Sequence, residues 1–208
     1  MTGRPGTACP VIRAGHDDSE DLSQLIADAL HDDEVSRWLL PSPVIRRRIF
    51  PDYFALLVRR AMTGGLVYTT PGRTGVALWL PAGEHPSADP GAQSDQLAEI
   101  TGPWAGQFRV FDTVLARHHP AGRAHHHLAI LAVRPGQQGR GTGTALLAAH
   151  HTWLDQHGTP AYLEASSTRT RDLYQRHGYE PRPDSPISLP DGPRMWPMWR
   201  EPRHVREP

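Results

Sequence analysis

Val133-Arg134-Pro135-Gly136-Gln137-Gln138-Gly139-Arg140-Gly141-Thr142-Gly143-Thr144-Ala145-Leu146-Leu147 is the most informative stretch of this chain. Before it, Leu128-Ala129-Ile130-Leu131-Ala132-Val133 is an unbroken apolar run of the kind that fills a central, doubly covered strand. After it, small and apolar residues at helical spacing predict a helix over 143–157. A glycine-rich turn between strand and helix lets several backbone N–H groups converge without Cβ atoms in the way. The positive end of the helix dipole adds to them, so the junction is a ready site for an anionic phosphate. Gly139, Gly141 and Gly143 do not fit the G-x-G-x-x-G spacing, and no acidic residue follows about 20 residues on to hold a ribose. A dinucleotide fold is therefore not the expectation.

Outward from this junction the chain alternates strands and helices. Ala161-Tyr162-Leu163-Glu164-Ala165 predicts a strand and Thr168 to His177 a helix, giving a βαβα run in the second half. In the first half, Val11-Ile12-Arg13 predicts a short strand, and Leu22, Leu25, Ile26, Ala29 and Leu30 mark a helix capped at 17–19. A second helix is expected over 44–62, ended by Gly64-Gly65, followed by a hairpin of 66–69 and 75–80 through Pro71-Gly72-Arg73. Residues 81–94 read as a surface loop and 96–117 as one helix. Met195 to Trp199 is a last strand candidate, weakened by Pro197. The ends, 1–8 and 201–208, read as flexible termini around a single domain over 9–200.

Composition closes several classes. The chain has 208 residues with 22 basic and 22 acidic side chains, so bulk electrostatic capture of nucleic acid is disfavoured. No run of 18 apolar residues and no secretory leader pattern is present, which points to a cytoplasmic protein with no membrane partner. Cys9 stands alone, so an internal disulfide and a multi-cysteine zinc site are excluded. All the basic residues are Arg, which with the abundant Ala, Gly and Pro suggests a GC-rich genome of the actinomycete type. Without lysine, Schiff-base and P-loop chemistry is closed.

Gln138-Gly139-Arg140-Gly141-Thr142-Gly143 resembles the Q/R-x-x-G-x-G/A signature of the GCN5-related N-acetyltransferases, the GNAT superfamily. Leu173-Tyr174-Gln175-Arg176-His177-Gly178-Tyr179 resembles that family's F/L-Y-x-x-x-G-F/Y element. The pattern is most similar to the puromycin N-acetyltransferase branch, with a motif-bearing core over 125–180. The resemblance implies an α/β (α+β) fold: a mixed, mainly antiparallel sheet, splayed in the middle and flanked by helices. It implies acetyl-CoA as co-substrate and an amine of a small molecule as acceptor, with antibiotic resistance or natural-product tailoring as the setting. Backbone groups of Leu131, Ala132 and Val133 would then hold the pantetheine arm, and Gln138, Gly139, Arg140, Gly141, Thr142, Gly143 and Thr144 the pyrophosphate. Tyr174 would protonate the departing thiolate, and Glu164 would take the proton from the attacking amine. Thr170 stands where many members carry a coenzyme-touching Asn. A homodimer, an aminoacyl-tRNA or carrier-protein donor, and a non-catalytic binding module stay open as alternatives.

Other clusters carry weaker expectations. Strand alternation places Tyr162 and Glu164 on one face and Leu163 on the other. His118, His119, His125, His126, His127, His150 and His151 have no carboxylate or Cys at ligand spacing, so no metal is expected and they read as surface or strand-edge residues. His126 or His127 is an alternative base. Arg46-Arg47-Arg48 with Arg59-Arg60 reads as a solvated basic face, or as the dock for an acidic donor. Trp38, Phe50, Tyr53, Phe54, Trp79 and Trp104 are expected around the acceptor mouth, mostly as core.

Overall fold

In the computed structural model, residues 9–83 and 90–203 are described. Of the expected termini 1–8 and 201–208, residues 1–8 and 204–208 lie outside them, as do the loop residues 84–89. The strands are β1 (Ile12–Arg13), β2 (Leu66–Thr69), β3 (Gly75–Ala82), β4 (His125–Val133), β5 (Ala161–Ala165), β6 (Glu180–Pro181), β7 (Ile187–Ser188) and β8 (Arg194–Arg200). The α-helices are α1 (Ser19–Leu30), α2 (Glu34–Leu39), α3 (Pro43–Gly64), α4 (Pro90–Thr101), α5 (Ala105–His118), α6 (Thr142–Gln156) and α7 (Thr168–Arg176).

Local chemistry explains most boundaries. Ser42 caps α3 by accepting from the Ile45 amide, and Pro43 takes the first position, where a missing N–H is harmless. The helix continues through Pro51, at the loss of one backbone bond. α2 was not expected from sequence; it is a short helix whose only cue is Asp33, which accepts from the Val35 amide. The expected helix over 96–117 is two helices: Gly102 turns with φ +54° and Pro103 follows, so the axis breaks there. α4 begins at Pro90, inside the stretch expected as loop, and β3 extends to Ala82.

The sheet runs β1-β2-β3-β4-β5-β8-β6, with β7 beside β8. Every neighbour is antiparallel except β4 and β5, which run parallel. That pair touches only at His126↔Ala161 and His127↔Tyr162. β4 then runs on to Val133 and β5 to Ala165 without further pairing, so the sheet opens in the middle. Pro197 sits inside β8 opposite Glu164. Its carbonyl accepts from the Arg182 amide, so the side lacking an N–H faces the two-residue β6, where few ladder bonds are lost.

Both faces of the sheet are covered. Val76 and Leu78 of β3 pack with Leu22, Ile26, Phe50 and Val58 of α1 and α3. Ala77 and Trp79 point the other way, to Leu146, Leu147 and Leu154 of α6 and Leu163 of β5. Opposite β3, β4 carries a bulge: Leu78 pairs with Ile130 and Trp79 with Leu128, leaving Ala129 unpaired. At the sheet's far edge Arg200, 3% exposed, makes two bonds to Asp155 at 2.8 and 2.7 Å. Asp155 also accepts from the Arg203 amide, and Glu201 binds Arg123 at 2.7 Å. Residues 201–203 are thus anchored, against the flexible terminus expected from 201. Among the described residues no helix is long and apolar enough to cross a membrane.

His125, His150 and His151 are buried, which corrects their surface assignment. β4 begins at His125 rather than Leu128, and α6 turns His150 and His151 inward. His150 faces His126, Tyr68 and Trp79; His151 meets the Tyr179 hydroxyl at 3.0 Å and lies near Arg200 and His177. Burial pushes both imidazoles down to about 3. The folded state therefore keeps them neutral while the unfolded chain protonates below about 6.5, so stability falls as pH drops from about 6.5 towards 3. At pH 4.5 the loss should reach up to about 5 kcal/mol for the pair. Urea midpoints at pH 7 and pH 4.5 measure it, and equal midpoints would contradict it.

Candidate active site

The opening between β4 and β5 is the centre of a cavity of about 1960 Å³. A site for one drug-sized ligand is on the order of 300–1,000 Å³, so this one has room for two substrates at once. One end is the Gly-rich loop and the start of α6; the other is walled by α3, α5 and the ends of β4 and β5.

At the loop end, Gly136, Gly139 and Gly141 hold φ of 79°, 78° and 85°. Gly141 is the N-cap of α6, and Ala145 is the first amide to bond back, onto the Gly141 carbonyl. The amides of the turn before it have no helical acceptor, and Gly141, Thr142, Gly143 and Thr144 line the cavity. The first turn lies close to β3 because Gly75 has no side chain: a Cβ there would stand 2.8 Å from Thr142 Cγ2. Gln138 braces the loop, its amide donating to the Val133 carbonyl and its carbonyl accepting from Gly136 N. Arg140 is exposed on the loop, and Arg169 and Arg176 of α7 line the same end. Leu131, Ala132 and Val133 line the cavity with one edge of β4 bonded to β3 and the other facing the opening. Free amides, a helix N-terminus and two guanidinium groups suit the phosphates of coenzyme A.

Thr170 also lines the cavity, but its hydroxyl is engaged in the capping box with Ser167 that starts α7. Thr144 Oγ1 faces His177 Nε2 at 3.3 Å. Tyr174 is 7% exposed, lines the cavity and packs edge-on against Tyr179. Burial pushes its phenol above the ordinary tyrosine range, so it is protonated throughout neutral pH.

At the other end, β5 turns Tyr162 and Glu164 away from α6, while Ala161, Leu163 and Ala165 pack against the α6 side, as alternation predicts. Glu164, with a side chain 6% exposed, accepts from His127 Nε2 at 2.8 Å through Oε2. Its Oε1 is buried and has no hydrogen-bond partner among the described residues. Burial acts to raise this carboxyl, but His127 and His119 beside it outweigh that and hold it below the usual range, so it is ionised. His119 stands with its ring edge-on to His127, and burial pushes it down to about 4. Glu164, His127 and His119 come within 4.8 Å of one another. The expectation that no carboxylate joins the histidines therefore fails: the fold brings it in from β5, which linear spacing cannot show.

The bulk of this end is apolar and aromatic. Phe50, Tyr53 and Phe54 line it, with Asp33 and Asp112 among them. Asp33 was missed in the sequence; it accepts from Ser166 Oγ at 2.8 Å while capping α2, which ties α2 to the end of β5. Trp79 is core and lies on the α6 face against His150. Trp38 and Trp104 pack around the α3 side without lining the cavity. The Arg46–Arg48 patch is corrected in part: Arg47 and Arg48 are exposed as a basic face, and Arg46 is not. Arg46 is 3% exposed and donates to the Leu40 and Pro41 carbonyls, while Arg59 and Arg60 line the cavity instead.

Comparison with known proteins bears on the fold. Residues 105–181 match the model of the acetyltransferase (GNAT) domain. The fold is similar to that of a histone acetyltransferase HPA2 and related acetyltransferase from Corynebacterium glutamicum, with 25% identity, a TM-score of 0.71, and 95% of this chain covering 98% of that one. Arylalkylamine N-acetyltransferase 2 from Aedes aegypti superposes at a TM-score of 0.61 with 11% identity over 93% and 99% of the two chains. An agmatine N-acetyltransferase does so at 0.61 with 16% identity over 91% and 97%. The fold is similar to that of these acetyltransferases, and the match to the GNAT domain model is confined to residues 105–181.

Proposed function

We propose that this protein transfers an acetyl group from acetyl-CoA to the amine of a small molecule, because residues 105–181 match the GNAT acetyltransferase domain model and the chain has a similar fold. One observation carries the reading: a single cavity joins the amide-rich loop of Gly139–Thr144 to a buried, ionised Glu164 with a free oxygen, and Tyr174 lies in its wall. Acetyl-CoA supplies the activated thioester. The loop amides bind its phosphates, and the open edge of β4 positions its arm and polarises the carbonyl.

Glu164 Oε1 accepts an N–H of the incoming ammonium, and the apolar walls lower the amine's affinity for its proton. The carboxylate takes one proton, directly or through water, and only the neutral amine so formed has a lone pair to attack the carbonyl carbon. The C–N bond forms, the C–S bond breaks, the Tyr174 hydroxyl delivers a proton to sulfur, and the second proton, made acidic by the attack, leaves the nitrogen and restores the phenol. Holding both partners in one cleft supplies much of the rate. The aromatic wall of Phe50, Tyr53 and Phe54 favours an acceptor with a bulky, partly apolar body. Proteins of this fold named for arylalkylamines and agmatine, and the resemblance to the puromycin branch, suggest a natural product or antibiotic bearing a primary amine. With Arg46 buried, the docking face for a tRNA or carrier-protein donor keeps only Arg47 and Arg48 of its arginine run, and no second reading is retained.

Calorimetric titration tests the first half of this function. Acetyl-CoA and free CoA should bind saturably at micromolar strength. Gly141→Ala, which forces a side chain into φ 85°, should weaken both by roughly tenfold, since the strain costs about 1–2 kcal/mol. Absence of binding at millimolar acetyl-CoA would overturn the reading. Thiol release with a panel of arylalkyl, guanidino-alkyl and aminonucleoside amines then identifies the acceptor class.

A further inference from the structure

We propose that His119, His127 and Glu164 form a binding site for a divalent transition-metal ion of the zinc class at the acceptor end of the cavity. Two imidazoles and one carboxylate are a donor set that such ions favour. Their ligand atoms lie within 4.8 Å of one another, with His127 Nε2 and Glu164 Oε2 at 2.8 Å. Ligand bonds of about 2.0–2.2 Å set tetrahedral ligands roughly 3.4 Å apart, so that pair opens slightly and any pair farther apart than this closes in. All three line the cavity, which leaves the remaining coordination positions open to water.

The hydrogen bonds prepare the lone pairs. His125 Nδ1 faces the Arg123 carbonyl at 2.8 Å, and a carbonyl only accepts, so that nitrogen carries the proton. The neutral His125 ring then presents a lone pair at Nε2, 3.1 Å from His119 Nε2, which must donate. His119 Nδ1 is left with its lone pair free. An N–H of a metal-bound histidine is ordinarily anchored in this way by a second group. On the carboxylate side, Glu164 Oε1 is buried with no partner among the described residues, an acceptor that a cation satisfies. Binding replaces the His127 Nε2–H···Oε2 bond by coordination, and the proton moves to His127 Nδ1 or to water.

Occupancy itself is independent of the acetyl-transfer reading; only its consequence rests on it. The ion takes the Glu164 oxygens and His127, so zinc should inhibit transfer competitively with the amine and not with acetyl-CoA.

Co²⁺ is the probe, added to the full chain after dialysis against a chelator. One equivalent should give a visible d–d band that Zn²⁺ abolishes. Affinity should fall at least about tenfold in His119→Ala and in Glu164→Gln, on the scale of losses seen even for outer-shell partners, and stay as in wild type for the exposed His16→Ala. Urea midpoints show whether each variant is folded. No band at submillimolar Co²⁺, or a band indifferent to both His119→Ala and Glu164→Gln in folded protein, overturns the site. A silent band with intact transfer defeats the metal proposal alone. A triad-dependent band without transfer on any amine leaves the metal site standing and defeats the function.

Discussion

Tyr174→Phe should lower kcat for acetyl transfer by about 10²–10³-fold while leaving acetyl-CoA affinity and the amine KM close to wild type. The phenol is buried in the cleft wall and held protonated, so its hydroxyl is a donor over the whole neutral range. Charge appears on sulfur only as the C–S bond breaks. A donor acting there stabilises the transition state and not the bound substrates, and its loss falls on kcat alone. Phe keeps the ring and its edge-on contact with Tyr179, so the core is not opened. An acyl donor with a more acidic thiol leaves without help, and the variant should recover much of its deficit with it. Equal kcat for wild type and variant on acetyl-CoA would remove Tyr174 from the chemistry, whatever happened to binding.

The parts of the site carried by local pattern were legible in the chain. The apolar run into Val133, the glycines at 139, 141 and 143 and the helix behind them appear where local rules put them. β5 and α7 do too, and alternation alone places Glu164 opposite Leu163. What could not be read depends on contacts between distant elements. The apolar run that marks β4 begins at Leu128, while the strand itself begins at His125. With β4 drawn from His125, the parallel register His127↔Tyr162 sets it one strand-step from Glu164. His119 gave no periodic signal; it follows α5 and reaches the site only by folding. Arg46 looks like its neighbours in a run of three arginines. It is buried because the carbonyls of Leu40 and Pro41 need donors where α2 meets α3. Trp79 is core, as most of these aromatics are expected to be, and β3 alternation with Val76 and Leu78 sends it to the α6 face.

Replacement of Glu164 bears on both halves of the site, because this carboxylate carries an energetic penalty that only function explains. Its Oε1 is taken out of water without a well-formed hydrogen bond among the described residues, with the Tyr162 hydroxyl close to the carboxylate. A buried polar oxygen left so costs about 1–3 kcal/mol, more when charged. Glu164→Gln keeps an oxygen to accept from His127 Nε2 and removes the charge, so the thermal midpoint should stay level or rise. Transfer should fall about 10²–10³-fold, because an amide cannot take the amine's proton. Unlike Tyr174→Phe, it should also raise the amine KM, since the ammonium loses its counter-charge before any bond is made. Acetyl-CoA titration should be unchanged, the loop of Gly139–Thr144 lying at the other end of the cavity. Glu164→Asp retains charge with one methylene less and should sit between the two. A Gln variant that is less stable yet turns over like wild type would make Glu164 a structural partner of His127. The base would then have to be sought among the histidines. A variant that is as stable or more so, but slow and weak for the amine alone, is the pattern of a residue kept at the expense of stability for the substrate it meets.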